Sequence, residues 1–325
     1  MFNHLTKPVV QYNQEKVDPY VTRLVEWIDQ EIKNEVVYDF AFIGVPLSKS
    51  SMSFSGAHLN PEAFRQLWGG FTTYNIDNDI DLAALKSVDL GNVKMHITDI
   101  KQCHNNIEEA LKEVKQQFKK TTLITIGGDH SITYPIIKGL KDDTKAKIGL
   151  IHFDAHLDVR DTSFGGRFNG TPVRSLIETE TVKGDHIVSI GIRDFANSKA
   201  YRDYALEEGI TIYTANQVYE RGIAPILEES VAALKDKCDE IYVTYDMDVM
   251  DQAYVPGAPA IGPGGLNPQD IFYTAAELGK LEEVTGIDIV CNDPSKDFRD
   301  VTARVALHIF LNFAKGYYIR KHSAQ

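Results

Sequence analysis

Six short apolar runs alternate with amphipathic segments along this chain, and that alternation constrains its fold more than any other feature. The runs are VVYDFAFIGVP (36–46), TTLITIGG (121–128), KIGLIHFD (147–154), HIVSIGIR (186–193), EIYVTYDMD (240–248) and VTGIDIVCND (284–293). Their β-branched and aromatic content, short length and terminal Gly or Asp mark strands rather than buried helices. Between them, HNNIEEALKEVKQQFKK (104–120) sets Ile107, Leu111, Val114 and Phe118 on one stripe at helical spacing, a core face rather than a partner groove. PQDIFYTAAELGK (268–280) opens on Pro and closes near Gly, as helices do. Residues 196–208, 222–236 and 301–315 read the same way. Strands buried on both faces and alternating with helices predict an α/β fold: a mostly parallel sheet between helix layers, a three-layer α/β/α sandwich. No repeat, low-complexity tract or linker divides the sequence. Residues 1–325 therefore read as a single domain, with an N-terminal arm over about 1–35 that includes a helix around 17–34. In such a sheet, ligands bind beyond the carboxyl ends of the strands.

Composition narrows the partners. Hydrophobic residues make up 43% and charged residues 25%, enough for a sizeable core, and the formal charge is −12. That balance argues against nucleic acid or an anionic membrane, both of which require a basic footprint. Cys103, Cys238 and Cys291 are odd in number and far apart, so they form neither a disulfide framework nor a thiolate zinc site. The N-terminal stretch lacks an apolar signal core and no run approaches a membrane span, so a cytoplasmic protein is expected.

Three of the predicted strands end in acids or imidazoles. TIGGDHS brings Asp129 and His130, HFDAHLD brings Asp154, His156 and Asp158, and TYDMD brings Asp246 and Asp248. Continued strand geometry would turn Asp154, His156 and Asp158 to one side. Taken singly, these are unremarkable turns and solvated strand ends. Under the predicted topology they share one end of the sheet, where four carboxylates would repel one another strongly. Divalent cations relieve that repulsion. Six side chains exceed the needs of one ion and suit two that share bridging carboxylates. Mixed oxygen and imidazole ligation points to Mn, Zn, Fe, Co or Ni. Two such ions lower the pKa of a water between them, so the chemistry is expected to be hydrolytic. His152 reads as a packing residue pointing away from this face, and His58 as a loop or helix-start residue.

GGDHS, FDAHLD and YDMDVMD…APAIGPGGL resemble, in order, the three signature segments of the ureohydrolases, the arginase and agmatinase family, with similarity over about residues 40–315. The resemblance implies a three-layer α/β/α sheet, two manganese ions and a homo-oligomer. It also implies that His130, Asp154, Asp158 and Asp246 hold the first ion and His156 and Asp248 the second, with Asp154 and Asp246 bridging. Asp158 or Asp248 would move the proton in catalysis.

The loops speak to the substrate. DVRDTSFGGRFNGTPVRSL (158–176) and GIRDFANSKAY (191–201) carry Arg160, Asn169, Arg174, Arg193 and Asn197 towards the expected mouth. Arginine forks match carboxylates, so an anionic small substrate is expected. FNGTPVR has Asn169 where arginases carry a His. With GVPLSKSSMSFSGAHLNPEAFRQ (44–66), the loops resemble most the formimidoylglutamase branch, which implies hydrolysis of N-formimidoyl-L-glutamate, a linear amidine, to L-glutamate and formamide in histidine breakdown. A guanidino compound such as arginine, agmatine or a guanidino acid is the alternative substrate. One departure stands out: IDIVCNDPS places Cys291 where the family has a Glu that pairs with the amidinium or guanidinium. Asp293, two residues on, would substitute only if the strand end shifted. Cys291 leaves open a third reading, a metal-binding homologue with impaired turnover.

Overall fold

A computed structural model of the chain describes residues 2–9, 18–141 and 145–323. Its main sheet is built from β1 (Leu5–Thr6), β2 (Ile28–Asp29), β3 (Phe40–Val45), β4 (Ser87–Val93), β5 (Thr122–Gly127), β6 (Ile148–Phe153), β7 (Ile187–Ile192), β8 (Thr211–Thr214), β9 (Glu240–Asp246) and β10 (Val284–Val290). The spatial order is β1-β4-β3-β5-β10-β9-β6-β7-β8, and β2 also pairs with β4. Every pairing is parallel except that of β1 with β4.

The helices are α1 (Asn60–Gln66), α2 (Ile100–Gln117), α3 (Thr133–Lys141), α4 (Pro172–Glu178), α5 (Lys199–Glu207), α6 (Ala215–Arg221), α7 (Ile223–Lys235), α8 (Pro268–Gly279) and α9 (Val301–Ser323). Two apolar clusters separate the layers. Ile107, Leu111 and Val114 of α2 pack with residues of α3, α4 and α5 against one face of the sheet. The other face meets α1 and α6 to α9, where Phe310 lies edge-on to Phe42 (ring centroids 4.7 Å apart) and Phe40 (5.6 Å). Burying one such side chain contributes roughly 1.5–3 kcal/mol. The expected three-layer sandwich is present. Among the described residues, no helix is long and apolar enough to cross a membrane.

All six expected strands form, shortened to their apolar centres. The expected helices form too, with changes of extent: α2 already starts at Ile100. Gly222, at φ 81°, splits residues 222–236 from a preceding helix that becomes α6, and α9 continues to Ser323. The helix expected around 17–34 is corrected to one turn, Leu24–Trp27; Val17 lies outside the described residues. The indole of Trp27 donates to the Leu85 carbonyl (2.9 Å), and Ile28–Asp29 then joins the sheet beside Ser87–Val88. Sheet pairing thus overrides local helical preference there.

Candidate metal centre and cleft

The four central strands β5, β10, β9 and β6 are neighbours, and three of them deliver the chemistry. Each of these three is followed by the same local device. An Asp at the strand end accepts a hydrogen bond from the backbone N–H two residues on: Asp129 from Ser131 (3.0 Å), Asp154 from His156 (2.6 Å) and Asp246 from Asp248 (2.9 Å). Such turns are a natural use of Asp after a strand. They correct the expectation of continued alternation. β6 stops at Phe153, and Asp158 has a left-handed backbone (φ 52°), so turns rather than a pleated strand gather Asp154, His156 and Asp158.

The gathering is tight. His130 Nδ1 lies 2.9 Å from Asp154 Oδ2 and 3.1 Å from both Asp158 Oδ2 and Asp246 Oδ2. His156 Nδ1 lies 3.2 Å from both Asp154 Oδ1 and Asp248 Oδ2. The two oxygens of Asp154 are thereby divided between two clusters. Among the described residues, His130, His152, Asp154 and Asp158 form one group with metal-ligand spacing, and Asp154, His156 and Asp248 a second. Asp246 joins the first through His130.

Burial and mutual charge set the ionisation. Burial would raise Asp154, but the imidazoles of His130, His152 and His156 crowded around it hold it well below the carboxylate range. Burial, then the charges of Asp248 and Asp154, push Asp246 up to about 6. Burial and the Asp154 charge also raise Asp158 and Asp248. Burial opposes a charged His156, but Asp248 and Asp154 outweigh it and push the imidazole up to about 12. This donor set fits divalent cations. His130 Nδ1 is buried, faces three carboxylate oxygens and makes no well-formed hydrogen bond, while its Nε2 is occupied by Thr244 Oγ1 at 2.9 Å. One ring nitrogen is thus anchored and the other left for a ligand, as in metal-binding histidines.

His152 requires correction. Residues 152 and 154 share strand parity, and His152 Nε2 sits 2.9 Å from Asp154 Oδ2 while Nδ1 meets Ser189 Oγ at 3.0 Å. It braces the shared carboxylate, which period-two spacing from Asp154 should have signalled. Thr244, which anchors His130, stands two residues before Asp246 just as His152 does before Asp154, so the same spacing marks it.

Above the ligands lies a cleft of about 320 Å³, lined by Arg160, Asn169, Asn197, Tyr201 and Cys291 among others. Arg160 is exposed, 5.9 Å above the Tyr201 ring. Asn169 Oδ1 accepts from the Met52 N–H (3.0 Å), tying the connection between β3 and α1 to the cleft wall. Asn197 accepts from the Leu157 N–H (2.9 Å) and donates to the Ala155 carbonyl (3.0 Å), bracing the metal segment from behind. Two arginines sit elsewhere. Arg174 pairs with Glu178 (2.7 Å) and Asp161 (3.4 Å) and stacks over Tyr204, away from the cleft lining. Arg193 is buried and donates to the Asp248 carbonyl, fixing the segment that carries that acid. Cys291 follows β10 with φ 62° and is buried where it lines the cleft. Burial, then the charges of Asp246 and Asp248, push its thiol well above the usual range, so it stays protonated. Asp293 faces another way, accepting from Gly56 N–H (2.7 Å) and Ser295 N–H (2.9 Å). His58 contacts Ser48 Oγ at 2.7 Å, apart from the cluster, as expected of a loop residue.

Comparison with known proteins gives the family and the fold. Residues 38–315 match the Arginase family. The chain is 46% identical over 308 residues to a formimidoylglutamase of Halalkalibacterium halodurans, covering 94% of this chain and 95% of that one. The crystal structure of formimidoylglutamase from Bacillus subtilis superposes with a TM-score of 0.91 at 37% identity, covering 96% of each chain. A Trypanosoma cruzi formiminoglutamase structure with Mn2+ shares the fold, with a TM-score of 0.84 at 22% identity over 92% of this chain and 99% of that one.

Proposed function

The chain belongs to the arginase family, and on that footing we propose that it hydrolyses N-formimidoyl-L-glutamate to L-glutamate and formamide with two manganese ions. The observation that carries the hydrolytic reading is the division of the Asp154 oxygens between His130 and His156. His130, Asp154, Asp158 and Asp246 would hold one ion, and His156 and Asp248 the other, with Asp154 and Asp246 shared. When bound, the ions supply Lewis acidity and an activated water. The protein's own part is to orient and to carry protons. Arg160 reaches the cleft with a guanidinium fork that is unpaired among the described residues and suits a substrate carboxylate. Asn169 and Asn197 keep the cleft walls in register with the metal segment. Asp158 or Asp248 takes up the proton that the attacking water gives off and returns it to the leaving nitrogen as the amidine C–N bond breaks. Cys291, a neutral thiol, lies beside Asp246 without adding a fifth carboxylate to the array. A homo-oligomer in the cytoplasm belongs to the same proposal, and three buried free cysteines suit a reducing setting.

The test is a rate assay of manganese-loaded protein on a panel of amidines and guanidines, following formamide and urea separately. N-formimidoyl-L-glutamate is expected to be turned over fastest. Preferred turnover of a cationic guanidine that lacks a carboxylate would overturn the assignment. Stoichiometric metal binding with no turnover of any compound would leave a metal-binding homologue.

A further inference from the structure

A second cavity, of about 620 Å³, lies behind the loop that follows the metal segment and has no part in the chemistry above. We propose that it binds a small dianion, a phosphoryl compound or a dicarboxylate, and that occupancy is transmitted to the cleft. Its wall gathers Lys101 and Glu108 from α2, Lys138 from α3 and Arg167 from the 161–170 loop. Lys138 is matched by Glu108 at 2.7 Å, so among the described lining residues Lys101 and Arg167 leave an excess of two positive charges, in a chain whose net charge is −12. Arg167 is placed for recognition: its guanidinium carbon lies 4.7 Å from the Tyr134 ring centroid, a cation–π contact that restrains a fork suited to paired anionic oxygens. At the cavity floor, His104 is buried and uncharged, pushed down to about 4 by burial and then by the Arg167 charge. It therefore offers a neutral hydrogen-bonding group beneath the cations.

Two connections run from this cavity to the cleft. The loop itself spans both, because Thr162, Gly165, Gly166 and Arg167 face the cavity while Arg160, Asn169 and Gly170 line the cleft. Gly165 (φ 133°) and Gly166 (φ 81°) give that loop left-handed joints with open space around them. The second connection is a chain of hydrogen bonds. His104 Nε2 meets Ser131 Oγ (3.1 Å), Ser131 Oγ meets Ser50 Oγ (2.8 Å), and Ser50 donates to Asp129 Oδ2 (2.8 Å) at the cleft. A dianion that pins Arg167 would restrict the loop bearing Arg160 and Asn169, and so act on substrate affinity.

The test is isothermal titration of the full-length, manganese-loaded protein with sulfate as the tetrahedral probe and succinate as the dicarboxylate probe. The titration is repeated on Arg167→Ala and, as a surface control, on Arg221→Ala. Arg167 is exposed, and melting curves verify that the variant is folded. Saturable binding that weakens at least tenfold in Arg167→Ala but not in Arg221→Ala is expected, with slower amide exchange over 162–170 when the probe is bound. The tighter probe identifies the chemical class. No saturable binding of either probe, or equal binding to Arg167→Ala, would overturn the proposal. Because the readout is binding, the result is independent of which substrate the cleft turns over.

Discussion

The carboxylate of Asp154 faces three imidazoles: His130 at 2.9 Å, His152 at 2.9 Å and His156 at 3.2 Å. His130 and His156 point at it from the two metal positions, whereas His152 is locked from behind by Ser189. Its role should therefore be positional. His152→Phe keeps an aromatic ring in a fully buried slot but removes the bond to Asp154. Manganese affinity should fall about 10–100-fold, the usual cost of losing a partner that orients a ligand. A competition titration against a chelator measures this, with circular dichroism to verify the fold; unchanged affinity would reduce His152 to a filler. At this scale the sequence carried much of the site. The D-x-H-x-D and D-x-D spacings, which the turns serve as well as a strand would, were legible. The arginines were not: whether Arg174 reads substrate or pairs with Glu178 depends on a fold-level position that charge and proximity in sequence do not reveal.

At the scale of elements, the path from strand to ligand runs through close backbone contact. After β5 the chain turns at Gly128, where a Cβ would overlap the Leu47 carbonyl, whose oxygen accepts from Asp129 N–H at 2.7 Å. Gly128→Ala must push the β3 and β5 exits apart, and the obstruction is backbone that cannot rotate away. A destabilisation of about 1–3 kcal/mol or more is expected from such overpacking, with loss of manganese, since His130 lies two residues on. Thermal melting and metal content measured together check this; a variant with full metal content and an unchanged melting temperature would refute it. The same scale explains what pattern reading overlooked. SVDLGNV reads poorly as a strand, yet it forms β4 beside β3. Its Asp89 and Asn92 are both satisfied by the buried Arg65 of α1, at 2.7 Å each. A local window sees two polar interruptions; only the fold supplies the cation that balances them. TYPIIKGLK reads poorly as a helix because of Pro135 and Gly139. Pro135 occupies the first turn, where its missing N–H costs nothing. Gly139 lets α3 approach the Glu108 carbonyl of α2.

For the whole molecule, the metal centre couples folding to pH. Asp154, Asp158, Asp246 and Asp248 are buried together at the carboxyl ends of the central strands, where unrelieved repulsion would oppose folding. In the metal-free chain, protons relieve it. His156, pushed up from its ordinary 6.5 to about 12, keeps a proton that the unfolded chain has already lost. The stability this provides is complete below pH ~6.5 and is lost as pH rises towards the folded value. Asp246, raised from 3.8 to about 6, acts with the same sign at lower pH. Divalent ions require the same atoms deprotonated, so metal binding expels protons and strengthens as pH rises. The two states should therefore diverge. The difference in melting temperature between the manganese-loaded and the chelator-stripped protein should widen from pH 6.5 to pH 8.5, at constant free manganese in the loaded series. Titration in buffers of different ionisation enthalpy should show proton release on loading. A difference that stays constant over this range, with no proton release, would mean that His156 is already deprotonated in the metal-free fold and that something other than a proton balances the buried carboxylates.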